Sequence, residues 1–253
     1  MELNLKGKLA IVTGGASGLG AAISEVLAEE GANVAVNYIV DQENVFKFVD
    51  KLNEKYATES IALYGDITNA QDIDNILKKC VEKYESIDIL INNAGVWPTT
   101  FVEDMSDEEW ERVVRINLTG PFMFSKRVVN HFIGNKIKGK IVNIVSQAAF
   151  HGSTSGHAHY AAAKGGLVTF TVSLAREVAK YGINVTAVAP GMMRTPMNTK
   201  ELEEREAEYI KRIPLGRISD PREVAYTVAF LSSDKADYIT GATVDVTGGM
   251  LMR

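Results

Sequence analysis

The stretch TGGASGLG occupies residues 13–20, directly after the apolar run Leu9–Val12 and before a segment with helical periodicity. Such a turn lets backbone N–H groups approach a pyrophosphate at a helix N-terminus, where the helix dipole is positive. Glycine is needed because a Cβ would block the approach or forbid the φ angle. The spacing is G-x-x-x-G-x-G rather than the common G-x-G-x-x-G, and a tight turn without a ligand could also carry it. Its position after the first strand favours nucleotide binding.

Short apolar runs rich in Val and Ile recur along the chain. Most of them are continuous rather than alternating, which is typical of strands buried on both faces of a parallel sheet. Seven strands are predicted, at Leu9–Val12, Val34–Val36, Ile61–Leu63, Ile89–Ile91, Ile141–Val145, Ile183–Val188 and Thr243–Val246.

Segments with 3.6-residue periodicity separate these runs and predict helices. Two shorter ones contain the stripes Ile23, Val26, Leu27 (ending at Gly31) and Ile73, Ile76, Leu77, and the longer ones are Asp107–Phe132, Tyr160–Tyr181, Glu201–Ile213 and Arg222–Ser232. This strand–helix alternation predicts an α/β protein, a single-domain doubly wound Rossmann fold. Its seven-stranded parallel sheet, with helices on both faces, should use all of residues 1–253.

Composition and charge limit the function classes. The chain has 253 residues, of which 46% are hydrophobic and 23% charged, as in ordinary globular proteins. Its net charge of −5 argues against sequence-independent binding to nucleic acid, which needs a concentrated basic face. The one cysteine, Cys80, excludes an intramolecular disulfide and a Cys-rich zinc site.

The sequence also predicts a cytoplasmic protein. The N-terminal segment lacks the long apolar stretch and cleavage site of a signal peptide. No apolar run reaches the length of about 18 residues that a membrane span needs. A single cysteine suits a reducing compartment. We therefore expect neither a membrane nor a nucleic-acid partner.

Further motifs follow the glycine-rich turn in a fixed order. They are Asp66 in GDIT, Asn92-Asn93-Ala94-Gly95, Asn117 in RINLTG, Ser146 in VNIVS, Tyr160-Ala161-Ala162-Ala163-Lys164, Pro190-Gly191 and the C-terminal GATVDVTGGM. Together with TGGASGLG, this set resembles the short-chain dehydrogenase/reductase family over essentially the whole chain. The resemblance implies an NAD(P)-dependent oxidoreductase that interconverts a secondary alcohol and a ketone by hydride transfer.

Tyr160 and Lys164 are the candidate proton-transfer pair. Four positions apart on a predicted helix, they lie on one face. A phenol has an ordinary pKa near 10, too high for efficient proton transfer at neutral pH, and a neighbouring ammonium lowers it. We therefore expect Tyr160 to be the general acid/base, with a pKa lowered by Lys164.

The resemblance assigns further catalytic roles. Ser146 would hydrogen-bond the substrate oxygen, Lys164 would also hold the nicotinamide ribose, and Asn117 would hold a water that links Lys164 to solvent. Fourteen positions separate Ser146 from Tyr160, one more than expected in close relatives. Ser153 and Ser155, which lie between them, could take the serine role, although neither follows a strand. Asn117 could instead cap or bend its helix.

The resemblance also implies the cofactor contacts, with Asp66 at the adenine and Asn93 at the adenosine ribose. The expected set is Thr13, Gly14, Ser17, Gly18, Leu19, Gly20, Tyr38, Asp66, Ile67, Asn93, Ala94, Gly95, Tyr160, Lys164, Pro190, Gly191, Met193 and Thr195.

The choice between NAD and NADP is usually made just after the second strand. An acid there binds the ribose hydroxyls, and a basic residue accepts the 2′-phosphate. Here Tyr38 replaces the acid, Ile39 replaces the basic residue, and Ser17 stands where NADP-dependent relatives often have Arg or Lys. A 2′-phosphate near Asp41 would be poorly accommodated. NAD(P)(H) is expected, and NAD(H) is favoured.

The histidines beside Tyr160 suggest a metal at first sight. His157 and His159 flank one residue, and His151 is nearby. Zinc also needs a third ligand, fixed geometry and a second shell, and no Cys or carboxylate is close in sequence. No metal site is predicted. Two alternatives stay open for these histidines: one of them contacts the substrate, or all of them belong to a solvated loop.

Substrate specificity should depend on three loops, at residues 96–101, 147–159 and 192–208, of which the last resembles the family's mobile lid. The chain resembles 3-oxoacyl-carrier-protein reductases in DEEW and SLAREV, and sugar dehydrogenases in AKGG and RTPMN. Docking to an acidic carrier protein needs a basic patch. Lys136, Lys138 and Lys140 could form one or simply a wet loop, so both substrate classes stay open.

Two other functions are compatible with this fold. A catalytically silent nucleotide-binding regulator should lack Tyr160, Lys164 or Ser146, and all three are present. A non-redox enzyme on this fold is typically longer, with a distinct substrate domain. The resemblance further implies a homotetramer, with Asp107–Phe132 and Tyr160–Tyr181 in one interface and the C-terminal GGMLMR in another. The same apolar helix faces could equally pack internally.

Overall fold

Seven strands form one sheet in the computed structural model, which describes residues 2–153 and 155–253. They are β1 (Leu9–Val12), β2 (Asn33–Tyr38), β3 (Ile61–Tyr64), β4 (Ile89–Asn92), β5 (Lys140–Ile144), β6 (Asn184–Pro190) and β7 (Thr243–Val246). All neighbouring strands are parallel, in the order β3-β2-β1-β4-β5-β6-β7. The order reverses between β1 and β4, which creates the switch point where doubly wound sheets bind ligands.

Helices connect the strands and cover both faces of the sheet. They are α1 (Gly18–Glu29), α2 (Gln42–Tyr56), α3 (Ala70–Tyr84), α4 (Asp107–Val114), α5 (Gly120–Asn135), α6 (Ala148–His151), α7 (Ala158–Val178), α8 (Thr199–Arg212) and α9 (Pro221–Leu231). The predicted fold class is therefore confirmed. Across the described part of the chain, no helix combines the length and the apolar character that crossing a membrane requires.

Two apolar layers fill the space between sheet and helices. Helices α1, α2 and α9 supply one layer, and α3, α5 and α7 supply the other. Strand β1 shows the division, since Ala10 and Val12 belong to the first layer and Leu9 and Ile11 to the second. All four side chains are buried, which explains why the strand is apolar at every position.

The helices differ from the sequence prediction at three places, one of which is the short α6 within residues 147–159, predicted as a loop. No helix is predicted at α2, although Val45, Val49 and Leu52 form a buried stripe with helical spacing. One helix is predicted over Asp107–Phe132, whereas the structure has α4 and α5 joined by a π-helical turn at Arg115–Thr119. Turns of this kind widen a helix locally and occur frequently at functional sites.

A chain of buried polar side chains ties α5 and α7 to the centre of the sheet. Asn92 and Asn143 are register partners in β4 and β5, and the Asn92 Nδ2 donates to Asn143 Oδ1 at 2.8 Å and to Ser125 Oγ at 2.9 Å. Asn143 Nδ2 donates to Thr171 Oγ1 at 2.8 Å, and that hydroxyl donates to the Leu167 carbonyl. The four polar side chains are fully or almost fully buried. A satisfied network of this kind fixes the position of α7 on the sheet.

Lys140 does not contribute to an exposed basic patch. Its side chain is buried at the start of β5, where the ammonium donates to Asn184 Oδ1 at 2.8 Å and pairs with Asp237. Only Lys136 and Lys138 of the three predicted lysines remain on the surface. The sequence does not reveal this burial, because Lys140 looks like the third member of a polar loop.

The polar chain makes a testable contribution to stability. We expect Thr171→Val to lower the free energy of unfolding by about 1–3 kcal/mol, because the Asn143 amide loses its acceptor in a buried site. Urea denaturation measures the change. Thr169→Val makes the same substitution at an exposed position of α7 and should change stability by less than about 0.5 kcal/mol. Equal effects of the two substitutions would contradict the role given to the network.

Candidate active site

Two adjoining cavities open at the carboxyl ends of the central strands. The larger has a volume of about 700 Å³ and the smaller a volume of about 200 Å³. Both are lined by Ser146, Tyr160, Gly191, Met193, Thr195 and Met197. The candidate proton-transfer residues therefore stand where a ligand in one cavity would meet a ligand in the other.

The larger cavity collects nearly all the residues that the sequence assigns to a cofactor. Those that line it are Gly14, Ser17, Gly18, Leu19, Gly20, Tyr38, Asp66, Ile67, Asn93, Ala94, Gly95, Tyr160, Lys164, Pro190, Gly191, Met193 and Thr195, together with Asn117 and Ser146. Thr13 is the exception, because its side chain is buried behind the turn.

The glycine-rich turn forms a cradle at the start of α1. Ser17 at the N-cap is extended, and its side chain makes no capping hydrogen bond to any described residue. Within the first turn, all of it described, no acidic side chain offsets the positive helix end. Gly18 has a φ of +50°, and a Cβ on Gly20 would lie 2.0 Å from the Gly14 carbonyl oxygen. Open N–H groups and the absence of side chains fit a pyrophosphate.

Thr13 and Asn93 hold this cradle against the end of β4. The Thr13 hydroxyl accepts from the backbone N–H groups of Asn93 (2.9 Å) and Ala94 (3.0 Å) and donates to the Ile91 carbonyl. The Asn93 side chain donates back to the carbonyls of Thr13 (2.9 Å) and Gly14 (3.2 Å). Both side chains shape the turn, and the Thr13 hydroxyl has its hydrogen bonds within the protein.

The far end of the larger cavity is formed by β2 and β3. Tyr38 is buried and packs edge-on against Phe46 and Tyr64. Asp66 directs Oδ1 to the Thr68 N–H at 2.7 Å. The cavity wall contributed by the glycine-rich turn and the region after β2 contains the residues Ser17, Tyr38, Ile39, Val40, Asp41 and Asn44. Asp41 is the only charged residue in this part of the wall, while Asp66, Arg112 and Arg115 line other parts of the cavity.

Tyr160 and Lys164 lie one turn apart on α7. Lys164 is almost fully buried, and its ammonium donates to the Ile144 carbonyl at 2.7 Å and lies 5.6 Å from the centre of the Tyr160 ring. Ser146 follows β5, and its side chain interacts with the Tyr160 phenol so as to lower the phenol pKa. Ser153 and Ser155 also line the smaller cavity, with their hydroxyls 3.3 Å apart. Of the three serines, Ser146 lines both cavities.

The expected direction of the Tyr160 pKa shift is wrong for the protein without ligands. Burial raises the pKa of Tyr160 to about 12, and the interaction with Ser146 opposes the shift without reversing it. Burial also lowers the pKa of Lys164 to about 8. Both shifts have one cause, because a buried site penalises the charged form of each group. Spacing along a helix shows that the two groups are neighbours and does not show how deeply they are buried.

Asn117 lies in the π-helical turn and is fully buried. Its amide donates to the carbonyls of Val96 and Val113, each at 3.0 Å, and its oxygen accepts from the Val96 N–H. A Cβ on Gly95 would lie 2.5 Å from that oxygen, so the loop passes very close to Asn117. The side chain thus holds the loop beside Lys164, and its role toward a water stays a prediction.

The histidines are held by protein groups. His157 Nδ1 bonds the Pro98 carbonyl at 2.7 Å, and its ring stacks on Trp97 with centres 4.2 Å apart. His159 Nδ1 accepts from the Tyr160 N–H, and Nε2 bonds Glu109 at 3.1 Å, which ties α7 to α4. Among the described residues, no three or more His, Cys, Asp and Glu side chains group as metal ligands. His151 and His157 line the smaller cavity.

The three predicted substrate loops supply most of the smaller cavity. They contribute Trp97 from the first loop, Gln147, Ala148, His151, Gly152, Ser153, Ser155 and His157 from the second, and Met192, Met193, Thr195 and Met197 from the third. Residue 154 of the second loop lies outside the described residues. The sequence prediction misses Tyr209 and Arg212 of α8 and Met250 of the C-terminal segment. Tyr209 and Arg212 are spaced i, i+3 in a helix that the pattern does predict, and this spacing is the available signal.

Comparisons with known proteins cover nearly the full chain. Residues 14–251 match the family model described as enoyl-(acyl carrier protein) reductase. A 3-oxoacyl-[acyl-carrier-protein] reductase of Vibrio cholerae is 40% identical over 250 residues, which span 99% of this chain and 100% of that protein. A reductase of the same name from Staphylococcus epidermidis is 37% identical over 245 residues, or 97% and 99% of the two chains.

Solved structures agree with the fold. A short-chain dehydrogenase/reductase from Brucella melitensis, described as glucose/ribitol dehydrogenase, superposes with a TM-score of 0.92 at 32% identity and covers 100% of both chains. A dehydrogenase/reductase from Sinorhizobium meliloti gives a TM-score of 0.93 at 32% identity, over 99% of this chain and 98% of the other.

The buried ammonium of Lys164 should destabilise the fold at neutral pH. Its pKa is about 8 in the folded protein and about 10.4 in an unfolded chain. The cost is fully present below pH 8 and disappears as the pH rises toward 10.4, because the folded protein then loses this proton first. We expect Lys164→Met to raise the free energy of unfolding at pH 7 by on the order of 1–3 kcal/mol, and the gain to shrink by about pH 10.

Urea denaturation at the two pH values measures this effect. Lys51→Met, which removes an exposed lysine of α2, is the matched control and should show no comparable gain. If Lys164→Met raised the free energy of unfolding equally at both pH values, or lowered it at pH 7, the destabilising role given to the buried ammonium would be refuted.

Proposed function

The chain belongs to the short-chain dehydrogenase/reductase family, and from that premise we propose that it oxidises a secondary alcohol, or reduces the matching ketone, with NAD(H) and with Tyr160 as the general acid/base. The observation that carries the proposal is the placement of Ser146 and Tyr160 at the junction of the two cavities, with Lys164 buried beneath them. The second candidate, a silent nucleotide-binding regulator, has no need of this buried and destabilising arrangement.

The larger cavity fits a dinucleotide because the cradle at α1 has open N–H groups and no space for a Cβ at Gly20. The glycine-rich turn would hold the pyrophosphate, Asp66 and Asn93 would lie near the adenosine, and Lys164 near the nicotinamide ribose. When bound, the nicotinamide would supply the hydride to the carbonyl carbon or accept it from the carbinol carbon.

The chain's own residues would move the proton. Tyr160 is protonated at neutral pH, since its pKa is about 12, and so it is ready to donate to the oxygen of a ketone. The Ser146 hydroxyl would hold the same oxygen. As the Tyr160 phenolate forms, the nearby Lys164 ammonium stabilises its negative charge. In the oxidative direction, the phenolate form of Tyr160, stabilised by the Lys164 ammonium, would take the proton from the alcohol. The hydride would pass to the oxidised nicotinamide, and a ketone would result.

A preference for NAD(H) over NADP(H) follows from the charge at the far end of the larger cavity. The described wall formed by the glycine-rich turn and the end of β2 contains Asp41 and no Lys or Arg. The cations that line the same cavity, Arg112 and Arg115, belong to α4 and the π-helical turn, and the Arg115 guanidinium donates to the Thr68 carbonyl. A 2′-phosphate placed beside Asp41 would therefore meet a carboxylate. The ribose hydroxyls of NAD carry no charge and avoid this repulsion.

The two substrate classes named by the relatives remain candidates, a sugar or polyol and a 3-oxoacyl thioester. Burial of Lys140 leaves two of the three lysines considered for carrier-protein docking, which weakens the thioester alternative. We further propose a homotetramer in the cytoplasm. Its support is the exposure of Trp110 on α4, Phe122 on α5 and Met252 at the C-terminus, while the buried, free Cys80 suits a reducing compartment.

Removal of the Tyr160 hydroxyl tests the proposed chemistry. We expect Tyr160→Phe to lower kcat by at least about a thousandfold, since general acid–base catalysis contributes on that order. The dissociation constant for NADH, measured by fluorescence titration, should change by less than about threefold. Tyr181→Phe removes the hydroxyl of an exposed tyrosine and should leave both quantities unchanged. Full turnover of Tyr160→Phe would refute the mechanism.

The cofactor preference has its own test. We expect kcat/KM for NAD⁺ to exceed that for NADP⁺ by at least about tenfold, and Ile39→Arg to reduce the ratio by about tenfold through a new contact with the 2′-phosphate. Ile39 lines the cavity and is half exposed, so the arginine has space. Ile39→Gln, of similar length without charge, should keep the wild-type ratio. A wild-type protein that prefers NADP⁺ would contradict the assignment.

A further inference from the structure

Arg212 is a charged residue that the proton chemistry does not use. It is the last residue of α8, is exposed, and lines the smaller cavity together with Ser146 and Tyr160. Within the described part of the chain it has no acidic partner. By contrast, other arginines in this region pair with glutamates, namely Arg194 with Glu206, Arg205 with Glu208, Arg217 with Glu223 and Arg222 with Glu29.

The described wall of the smaller cavity carries positive charge and no negative charge. Of the described residues that line it, none is Asp or Glu, and Arg212 is the only Lys or Arg. His151 and His157 are the other side chains there that can carry a positive charge. A guanidinium presents a planar fork that binds a carboxylate through two parallel hydrogen bonds. The wall therefore favours a ligand with an anionic group.

Gln147 gives a second, independent indication of the ligand. Its side chain is 9% exposed and lines the same cavity. The amide nitrogen donates to the Met250 sulfur at 3.3 Å, while the buried amide oxygen has no hydrogen-bond partner among the described residues. A buried acceptor without a donor is unfavourable. An amide oxygen accepts from a hydroxyl and repels a carboxylate, so the two polar residues recognise different groups.

The size of the cavity limits the rest of the ligand. Its volume of about 200 Å³ is below that of cavities that hold drug-sized ligands. A long acyl chain would have to lie outside it. A compact molecule could place an oxygen at Ser146 and Tyr160, a hydroxyl at Gln147 and an anionic group at Arg212, all of which line this cavity.

We propose that the substrate is a small hydroxylated carboxylic acid, whose carboxylate binds Arg212 and whose non-reacting hydroxyl donates to Gln147 Oε1. The proposal rests on the proposed oxidoreductase function and specifies its substrate class. The carboxylate does not react. The neighbouring secondary alcohol is oxidised as described above, or the keto acid is reduced, and Arg212 acts as a specificity-determining residue.

Steady-state kinetics with a substrate panel test the carboxylate. The panel contains D-gluconate, the neutral polyol D-glucitol, the phosphate ester 6-phosphogluconate, and acetoacetyl-coenzyme A as a thioester. We expect the hydroxy acid to exceed the polyol and the thioester by at least about tenfold in kcat/KM. Arg212→Gln should raise KM for the acid by about tenfold or more, with kcat within about threefold, and leave KM for the polyol unchanged. Arg212→Lys, which retains the charge, should restore part of the affinity.

The neighbouring cation provides the matched control. Lys211→Gln removes an exposed positive charge one residue earlier on α8, outside the cavity lining, and should not change KM for the acid. An equal effect of both substitutions would show a general electrostatic attraction and overturn the assignment to Arg212. A preference for the polyol or the thioester would refute the proposal that the substrate carries a carboxylate. A preference for the phosphate ester would show that Arg212 binds a phosphate instead.

Gln147 is tested with a pair of acids. Gln147→Leu should raise KM for D-gluconate by about fivefold or more and leave KM for 3-hydroxybutyrate, which has only its reacting hydroxyl, within about twofold. Equal changes in KM for both acids would refute the proposed hydrogen bond between the non-reacting hydroxyl and Gln147 Oε1.

Calorimetry separates this proposal from the proposed function. The dissociation constant of D-gluconate is measured for Tyr160→Phe in the presence of NADH, with and without Arg212→Gln. Absence of turnover with every alcohol and ketone would overturn the oxidoreductase function, while binding weakened about tenfold by Arg212→Gln would still support the anion subsite. Turnover of the panel with acid binding that does not depend on Arg212 would overturn the subsite alone.

Discussion

Burial of the central strands on both faces is the constraint on which the rest of the structure depends. Strand β1 has no polar side chain between Leu9 and Val12, because each position faces one of the two apolar layers. Polar groups that are left free to meet a ligand therefore collect where strands end. Thr13 follows β1, Asn93 follows β4 and Ser146 follows β5, and all three belong to the same edge of the sheet. The reversal of strand order between β1 and β4 leaves space at this edge for a ligand.

Polar residues within the layers are tolerated because they satisfy one another. The chain from Ser125 through Asn92 and Asn143 to Thr171 runs along one face of the sheet with a hydrogen bond at each step. It anchors α7, whose other end holds Lys164 in a site that penalises its charge. Functional groups that are unfavourable for folding need such support elsewhere in the structure. Here the support and the reacting groups share one helix.

Sequence reasoning recovers the parts of this protein that depend on local chemistry. Short runs rich in Val and Ile, most of them continuous, predict all seven strands, and TGGASGLG marks the turn that leads into α1. Helix α2 is missed, although its stripe of Val45, Val49 and Leu52 is visible in retrospect. The π-helical turn around Asn117 is also missed, because a widened turn keeps the same apolar pattern on both sides.

Errors at the candidate site have a different origin, since they concern burial. Lys140 reads as a surface lysine, yet it lies at the start of a central strand. The sequence predicts a lowered pKa for Tyr160, whereas burial raises that pKa and the interaction with Ser146 does not reverse the shift. Residues from distant segments, such as Arg212 and Met250, meet in the smaller cavity only through the tertiary fold. Sequence spacing shows which groups are neighbours along one helix or strand. How deeply a side chain is buried depends on the elements that pack around that helix or strand.

The placement of Tyr160 and Lys164 on one helix has a consequence for divergence within this architecture. Four residues of α-helix rise by about 6 Å whatever the surrounding loops do, so the separation of the two groups is inherited from the backbone. The walls of the smaller cavity come instead from loops, from the end of α8 and from the C-terminal segment. Insertions and exchanges in those segments can change which molecules are accepted while the proton-handling pair stays intact. Acquiring a new specificity thus requires few mutations that threaten catalysis, and this separation makes the scaffold readily evolvable.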